Sequence, residues 1–247
     1  MTDQLKPVAD EFGFVKTLNN QGFMTDYLDE FSQAFVEFSP KAPGPVLDIG
    51  AAYGVASLAA LRAGANVIAN DIDPRHLEIL MREAVQKLGE DVTCLKLLPG
   101  KFPGELACEE SSLGAILACR VFHFFDGDTI EQGIHAAFRW LKPGGKFFLV
   151  GETPYVGGLQ PFVPIYEARR AEGAKWPGYI EDFLKIDPNR GKDLPKSMHL
   201  LDVEVLTRVF QDAGFSIERA HTIARPHFPP GLKLDGRESV GIIGVKQ

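Results

Sequence analysis

The sequence predicts an α/β protein built on a doubly wound, mostly parallel sheet with helices on both faces. Two observations predict it. Between Val46 and Val150, short apolar runs alternate with segments whose apolar residues recur every three or four positions, as strands and amphipathic helices do. The first run, Val46-Leu47-Asp48-Ile49, leads straight into a glycine-rich turn, Gly50-Ala51-Ala52-Tyr53-Gly54, and then into helix-forming residues. A buried parallel strand that turns into a helix beside a ligand reads this way. With 247 residues, 45% hydrophobic and 24% charged, the chain suits one ordinary globular domain.

Taken in order, residues 1–21 are mixed and cover the domain edge. From Gly22 to Ser39, Phe23, Tyr27, Phe31, Phe35 and Phe38 recur at helical spacing, which predicts an amphipathic helix with an aromatic face. Residues 1–40 thus read as an N-terminal helical cap, closed off by Pro40, Pro43, Gly44 and Pro45. Val46–Ile49 is a strand, Val55–Ala63 a helix ended by Gly64, and Ala65–Asn70 the second strand. Asp73-Pro74 opens the next helix as N-cap and first residue, and Gly89 ends it. Val92–Leu98 and Leu113–Cys119 are the third and fourth strands, Asp128–Leu141 is a helix, and Lys146–Val150 is the fifth strand. The alternation then lapses. Residues 152–200 are rich in Pro, Gly and charge around helices at Val163–Ala171 and Tyr179–Lys185. An insertion of that length in a compact domain reads as a lid. Asp202 caps the last helix, which stops at Ala213-Gly214, and Phe215–Ile223 and Ser239–Val245 close the chain as strands.

Several function classes are excluded by composition. The net charge is −7 with no basic run, which argues against extended nucleic-acid binding. Three irregularly spaced cysteines form neither a disulfide framework nor a zinc site, and fit a reducing compartment. Asp126 and Asp128 lack further ligands, so no metal is expected. The start at Met1 has no basic region followed by an apolar stretch, and no run approaches the length of a membrane span. A cytoplasmic protein that engages no membrane is expected; oligomeric state is not legible.

The opening turn and the second strand point to one ligand. Asp71 lies at the end of the second strand, about twenty residues beyond the turn, where a carboxylate accepts hydrogen bonds from a ribose. A nicotinamide dinucleotide fits poorly. Ala52 and Val55 stand where its G-x-G-x-x-G fingerprint needs glycines, and Asp48 sits badly beside a pyrophosphate. A ligand with a ribose and a cationic group suits Asp48 better.

Here the chain resembles the class I, Rossmann-like S-adenosylmethionine-dependent methyltransferases. The resemblance rests on Val46 through Gly54, like that family's hydrophobic-D-x-G-x-G-x-G motif, and on Ile68-Ala69-Asn70-Asp71-Ile72-Asp73-Pro74. It continues through Ala118-Cys119-Arg120-Val121-Phe122-His123-Phe124-Phe125, Leu141-Lys142-Pro143-Gly144-Gly145-Lys146 and Leu201 to Phe215, in the family's order. It implies a seven-stranded sheet in the order 3-2-1-4-5-7-6 with the last strand antiparallel. It implies S-adenosyl-L-methionine as cofactor, held by Asp48, Gly50, Ala52, Gly54, Asp71, Ile72 and Arg120. Two departures are Ala52 for the family's middle glycine and the missing acid in Leu98-Pro99-Gly100-Lys101-Phe102, where Phe102 is the adenine contact expected instead.

Methyl transfer from a sulfonium is a direct displacement, so alignment and water exclusion supply most of the rate. If a base is needed, His123 after the fourth strand and His199 at the lid's end are the candidates. Tyr27, Glu152 and Tyr155 are candidate substrate contacts. The acceptor expected is a small molecule. The alternatives are an NAD(P)-dependent oxidoreductase, a methyltransferase acting on a protein or RNA, and a cofactor-binding module without catalysis.

Overall fold

Alternation along Val46-Leu47-Asp48-Ile49 divides the protein into two layers. In the computed structural model, which describes residues 6–89 and 92–247, these four form strand β1 (Val46–Ile49), every residue of it buried. The start of the chain, read as lacking a signal segment, falls partly outside the described residues. Successive side chains on a strand point to opposite faces. Accordingly, Leu47 and Ile49 join one core cluster and Val46 joins the other.

The remaining strands are β2 (Val67–Asp71), β3 (Leu95–Pro99), β4 (Leu113–Cys119), β5 (Leu141–Glu152), β6 (Ser216–Ile223) and β7 (Ser239–Val245). Together with β1 they form a seven-stranded sheet ordered β3-β2-β1-β4-β5-β7-β6. Val46 stands opposite Val67 on one side and Ala115 on the other, both in parallel register. Strand β7 runs antiparallel to both neighbours, with Gly241 opposite Val150 and His221. The order and the direction of the last strand are those the sequence implied.

On one face pack α1 (Glu30–Phe38), α2 (Val55–Arg62) and α3 (Pro74–Leu88), whose Phe31, Phe35, Leu58, Leu77 and Leu80 meet Val67, Leu117 and Phe148. On the other pack α4 (Gly127–Trp140) and, later in the chain, the helix Val203–Asp212, where Ile134, Trp140, Leu206 and Phe210 meet Ile116, Phe147 and Leu149. Asp73 and Asp202 accept from Arg75 N and Val205 N, the N-caps the sequence predicted.

Two segments differ from their sequence reading. Gly22 to Ser39 is not one helix. Phe23–Thr25 pairs antiparallel with Phe14–Lys16, and α1 starts only at Glu30. Gly22 (φ +99°) turns the chain, and the Asp29 carboxylate accepts from Phe31 N and Ser32 N, which sets the helix start seven residues later. The aromatic stripe is therefore shared between two structures, with Phe31 and Phe35 in the core and Phe23 half exposed on the hairpin. Likewise, Tyr179–Lys185 is not a helix: Tyr179–Ile180 pairs with Met198–His199, and only Phe183–Ile186 makes a single turn. Helix α5 (Val163–Ala171) lies where expected. Residues 152–200 have their own core, in which Tyr155, Phe162, Tyr166, Phe183 and Met198 meet Phe228.

Gly54 starts α2 at φ +81°, and a Cβ there would lie 2.1 Å from Leu80 Cδ1. Gly64 has a similar φ, +94°, with nothing within 4 Å. Gly54→Ala is expected to cost about 2–4 kcal/mol, from backbone strain plus the clash, and Gly64→Ala only about 1 kcal/mol. Urea unfolding of the two variants checks the difference; equal costs would show that α3 yields freely to α2.

Candidate active site at the carboxyl edge of the sheet

Parallel strands leave their crevice at their carboxyl ends, and here β1, β2 and β4 open onto one cavity of 740 Å³. Its floor is the turn after β1. Gly50 (φ +66°) and Ala52 (φ +46°) are both left-handed, and a Cβ on Gly50 would stand 2.4 Å from Val121 Cγ2. Glycine is therefore required at 50, whereas Ala52 accepts its conformation at a cost of about 1 kcal/mol.

Asp71 closes β2 and is 5% exposed. Its Oδ2 accepts from Ala52 N at 2.9 Å, and its Oδ1 from Asp73 N at 2.9 Å. His76 Nε2 accepts from Leu18 N at 2.9 Å, so the ring proton sits on Nδ1 and points to Asp71 Oδ1, 3.0 Å away. The same carboxylate thus ties the turn, the start of α3 and, through His76, the loop of the N-terminal hairpin. Tyr53 Oη donates to Lys16 O at 2.8 Å and Arg75 Nη2 to Leu18 O at 3.1 Å, which pin that hairpin further. Ile72, the next residue, is 58% exposed on the cavity wall.

Asp48 lies on the opposite side of the turn, buried, and accepts from Ser57 Oγ at 2.7 Å. Burial dominates its titration and pushes the carboxyl up to about 7, with the charge of Asp71 adding to the rise. Arg120 follows β4 in a left-handed conformation (φ +60°), with its N–H donating to Val150 O at 2.8 Å. Its Nη2 lies 3.0 Å from Asp29 Oδ2. Burial opposes ionisation of Asp29, but Arg120 and the Ser32 N–H outweigh it and hold the carboxyl below its usual range.

Eight of the residues singled out from sequence line this cavity: Tyr27, Asp48, Gly50, Ala52, Asp71, Ile72, Phe102 and Arg120. The Phe102 ring is largely taken up by Phe122, Phe125 and Trp140, at centroid distances of 5.6, 6.1 and 6.0 Å. Gly54 stands behind the floor as the first residue of the α2 entry. Four others lie elsewhere. Glu152 is buried against Arg190, 2.7 Å away, which overcomes the burial that would otherwise raise its carboxyl. Tyr155 donates to Glu167 and lies under Arg237. His199 Nδ1 lies 3.2 Å from Phe125 O, in a shallow groove with Trp176. His123 is buried beside Phe124. Burial pulls both imidazoles down to about 4, so each is neutral at neutral pH. Sequence reading missed His76, Ser57 and Asp29. His76 could have been found as the residue five beyond Asp71 on the first turn of α3; Asp29 and Ser57 carry no local signal.

The comparisons with known proteins agree with this geometry. Residues 46–145 match the family model described as a methyltransferase domain. No curated protein matches the chain. Among solved structures, an S-adenosylmethionine-dependent methyltransferase from Methanosarcina mazei superposes with a TM-score of 0.63 at 19% identity, over 86% of this chain and 96% of that one. Magnesium protoporphyrin IX methyltransferase from Synechocystis, with bound S-adenosylhomocysteine, gives 0.58 at 15% identity, over 87% and 80%. The 1,6-didemethyltoxoflavin-N1-methyltransferase of Burkholderia thailandensis gives 0.58 at 16% identity, over 88% and 77%. The domain match thus spans the turn, Asp71 and β4, and the likeness to these solved structures shows that the chain has the fold of S-adenosylmethionine-dependent methyltransferases, with its last strand antiparallel.

Proposed function

We propose that the protein transfers a methyl group from S-adenosyl-L-methionine to a small-molecule acceptor bound in the 740 Å³ cavity. The observation that carries this reading is the cavity's mixed wall. The Gly50–Ala52 turn, Asp71 and the exposed Ile72 line it together with the aromatic residues Phe23, Tyr27, Phe124 and Phe125. A volume of this size, mostly apolar with a few polar groups, suits a cofactor and a small acceptor. The hairpin over it leaves a macromolecule little flat surface to meet.

The residues present fit the cofactor. Asp71 Oδ1 already accepts from Asp73 N and His76 Nδ1–H, but Oδ2 holds only the Ala52 N–H and keeps an acceptor site for a ribose hydroxyl. Ile72 offers an apolar surface to a purine ring, and Asp48 a carboxylate to an ammonium group. When bound, S-adenosylmethionine supplies an electrophilic methyl on a sulfonium. The protein's part is then to hold acceptor and cofactor in line and to keep water out, which the hairpin and residues 152–200, acting as a lid, would do. Tyr27 and Arg120 are the polar side chains placed to orient the acceptor. No base need act if the acceptor atom arrives without a proton to lose.

Four outcomes check this reading. Isothermal calorimetry should show S-adenosylhomocysteine binding and none of NAD(P)H; the reverse would remove it. Asp71→Asn should weaken that binding by about 1–3 kcal/mol, the range for hydrogen bonds to a charged group. An unchanged affinity would place the ribose elsewhere.

A third outcome concerns pH. The ligand's ammonium favours ionised Asp48, so binding is coupled to loss of its proton. Affinity should therefore fall as pH drops below about 7, by up to tenfold per unit. Asp48→Asn should bind more weakly and lose this dependence between pH 5.5 and 7.5. Fourth, the folded-state value lies above the unfolded one, so ionising Asp48 costs stability as pH rises from about 4 to about 7. Ligand-free Asp48→Asn should accordingly melt about 5 °C higher than the parent at pH 8 in a thermal scan.

A further inference from the structure

Around Arg120 lies a group of buried and half-buried charged side chains that the turn and Asp71 do not use. Arg120, on the cavity wall, faces Asp29 at 3.0 Å. Arg190, from the insertion, faces Glu152 at 2.7 Å. Arg225, in the loop after β6, is 5% exposed and has no carboxylate partner among the described residues. Burial and Arg120 oppose the charge on Arg225, Glu152 and the Tyr27 hydroxyl beside it favour that charge, and His123 feels all three arginines and Glu152. With His123 neutral, three guanidinium groups face the carboxylates of Asp29 and Glu152, while the nearby Glu238 carboxylate is taken up by backbone N–H groups, which leaves Arg225 as the guanidinium of the three without a carboxylate at ion-pair distance among the described residues.

The unmet hydrogen-bonding capacity is mainly that of donors. Buried atoms without a hydrogen-bond partner include Nε of Arg120 and of Arg225 and Nη1 of Arg190, which only donate, beside Tyr27 Oη and His123 Nδ1, which donate or accept, and Glu152 Oε1, which lies 2.7 Å from Arg190 Nη2. Buried polar groups in folded proteins are normally satisfied, so a cluster of donors left without acceptors points to an absent acceptor. Arg225 is also held in place. The Glu238 carboxylate accepts from Arg225 N at 3.2 Å, Leu234 N at 2.9 Å and Gly236 N at 3.0 Å, which shapes its loop. Its guanidinium lies 3.5 Å from the Phe228 ring centroid and 5.6 Å from that of Phe14, on the hairpin that covers the cavity.

We propose that the methyl acceptor carries a carboxylate, contacted by Arg120 and Tyr27 on the cavity wall, with Arg225 behind them supplying the uncompensated charge. This rests on the methyltransferase reading and names its substrate class. A guanidinium fork matches the planar carboxylate, and a single surplus charge suits a monoanion better than a phosphate monoester, which carries more than one charge at neutral pH. Arg225 is thus a positioning residue and Arg120 a contact.

The test uses the full chain loaded with S-adenosylhomocysteine. Calorimetric titrations compare a panel of small aromatic and aliphatic monocarboxylates with their primary amides and with phenyl phosphate. At least one acid should bind ten times more tightly than its amide. Arg225→Gln should abolish that preference while leaving S-adenosylhomocysteine affinity unchanged, and Arg225→Lys should restore it. An absence of any acid-over-amide preference, a preference for the phosphate ester, or an undiminished preference in Arg225→Gln would each overturn the proposal. If Arg225→Gln fails to fold, the parent comparison and Arg225→Lys decide it. Failure of S-adenosylhomocysteine to bind the parent would instead remove the underlying methyltransferase reading.

Discussion

The Asp71 carboxylate is the junction on which the site depends. It is anchored at the end of a central strand, and it accepts from the turn after β1 and from the first residues ahead of α3. Its third partner, His76, passes the constraint to Leu18 in the hairpin. One buried acid thereby fixes the floor of the cavity, one wall and the cover. Its two oxygens can serve four contacts, which is why a carboxylate, and no amide, suits a position that must brace the protein and still offer acceptors to a ligand. Loss of the group would disturb the cover as well as the ligand's own contacts.

The rest of the site is arranged as a charge balance left open. Asp48 is buried beside a single hydroxyl donor and pays for ionisation in the empty protein, so a cation at the turn relieves it. Near Arg120 and Tyr27, the buried Arg225 guanidinium has no carboxylate at ion-pair distance among the described residues. The proposed pair of a cationic cofactor and an anionic acceptor would satisfy both. Buried groups of this kind are costly while unpaired, and their cost is recovered only on binding. The strained backbone at Ala52 and Arg120, both left-handed non-glycine residues on the cavity wall, belongs to the same pattern.

Much of the fold was legible because its signals are local. The alternation in β1, the caps at Asp73 and Asp202, and the glycine stops each act within a few residues, and each element they mark was found. The N-terminal segment was misread because Phe23, Tyr27, Phe31, Phe35 and Phe38 have helical spacing. The spacing could not show that Gly22 and the pairing of Phe23–Thr25 with Phe14–Lys16 would claim the first third of it. Similarly, Tyr179–Ile180 was drawn into a strand by Met198–His199, a partner nearly twenty residues away.

Within the site, sequence by itself determined the residues tied to a strand end: the turn Gly50–Ala52, Asp48, Asp71, Ile72 and Arg120. The reason is that a parallel sheet delivers every strand's carboxyl end to one edge, so a residue's place in its strand is also its place in the crevice. What only the tertiary structure decided is where side chains beyond those ends point. Glu152 ends β5 and Tyr155 lies just beyond it, yet they pair with Arg190 and Glu167 and do not line the cavity, and His123 is buried among its neighbours. Conversely, Asp29 and His76 enter the arrangement through contacts with residues up to about ninety positions away in the chain, and Arg225 through Phe14, about two hundred positions away. Such pairings depend on the chain's return path, which the hairpin, the insertion and the loop after β6 define only once the core beneath them has packed.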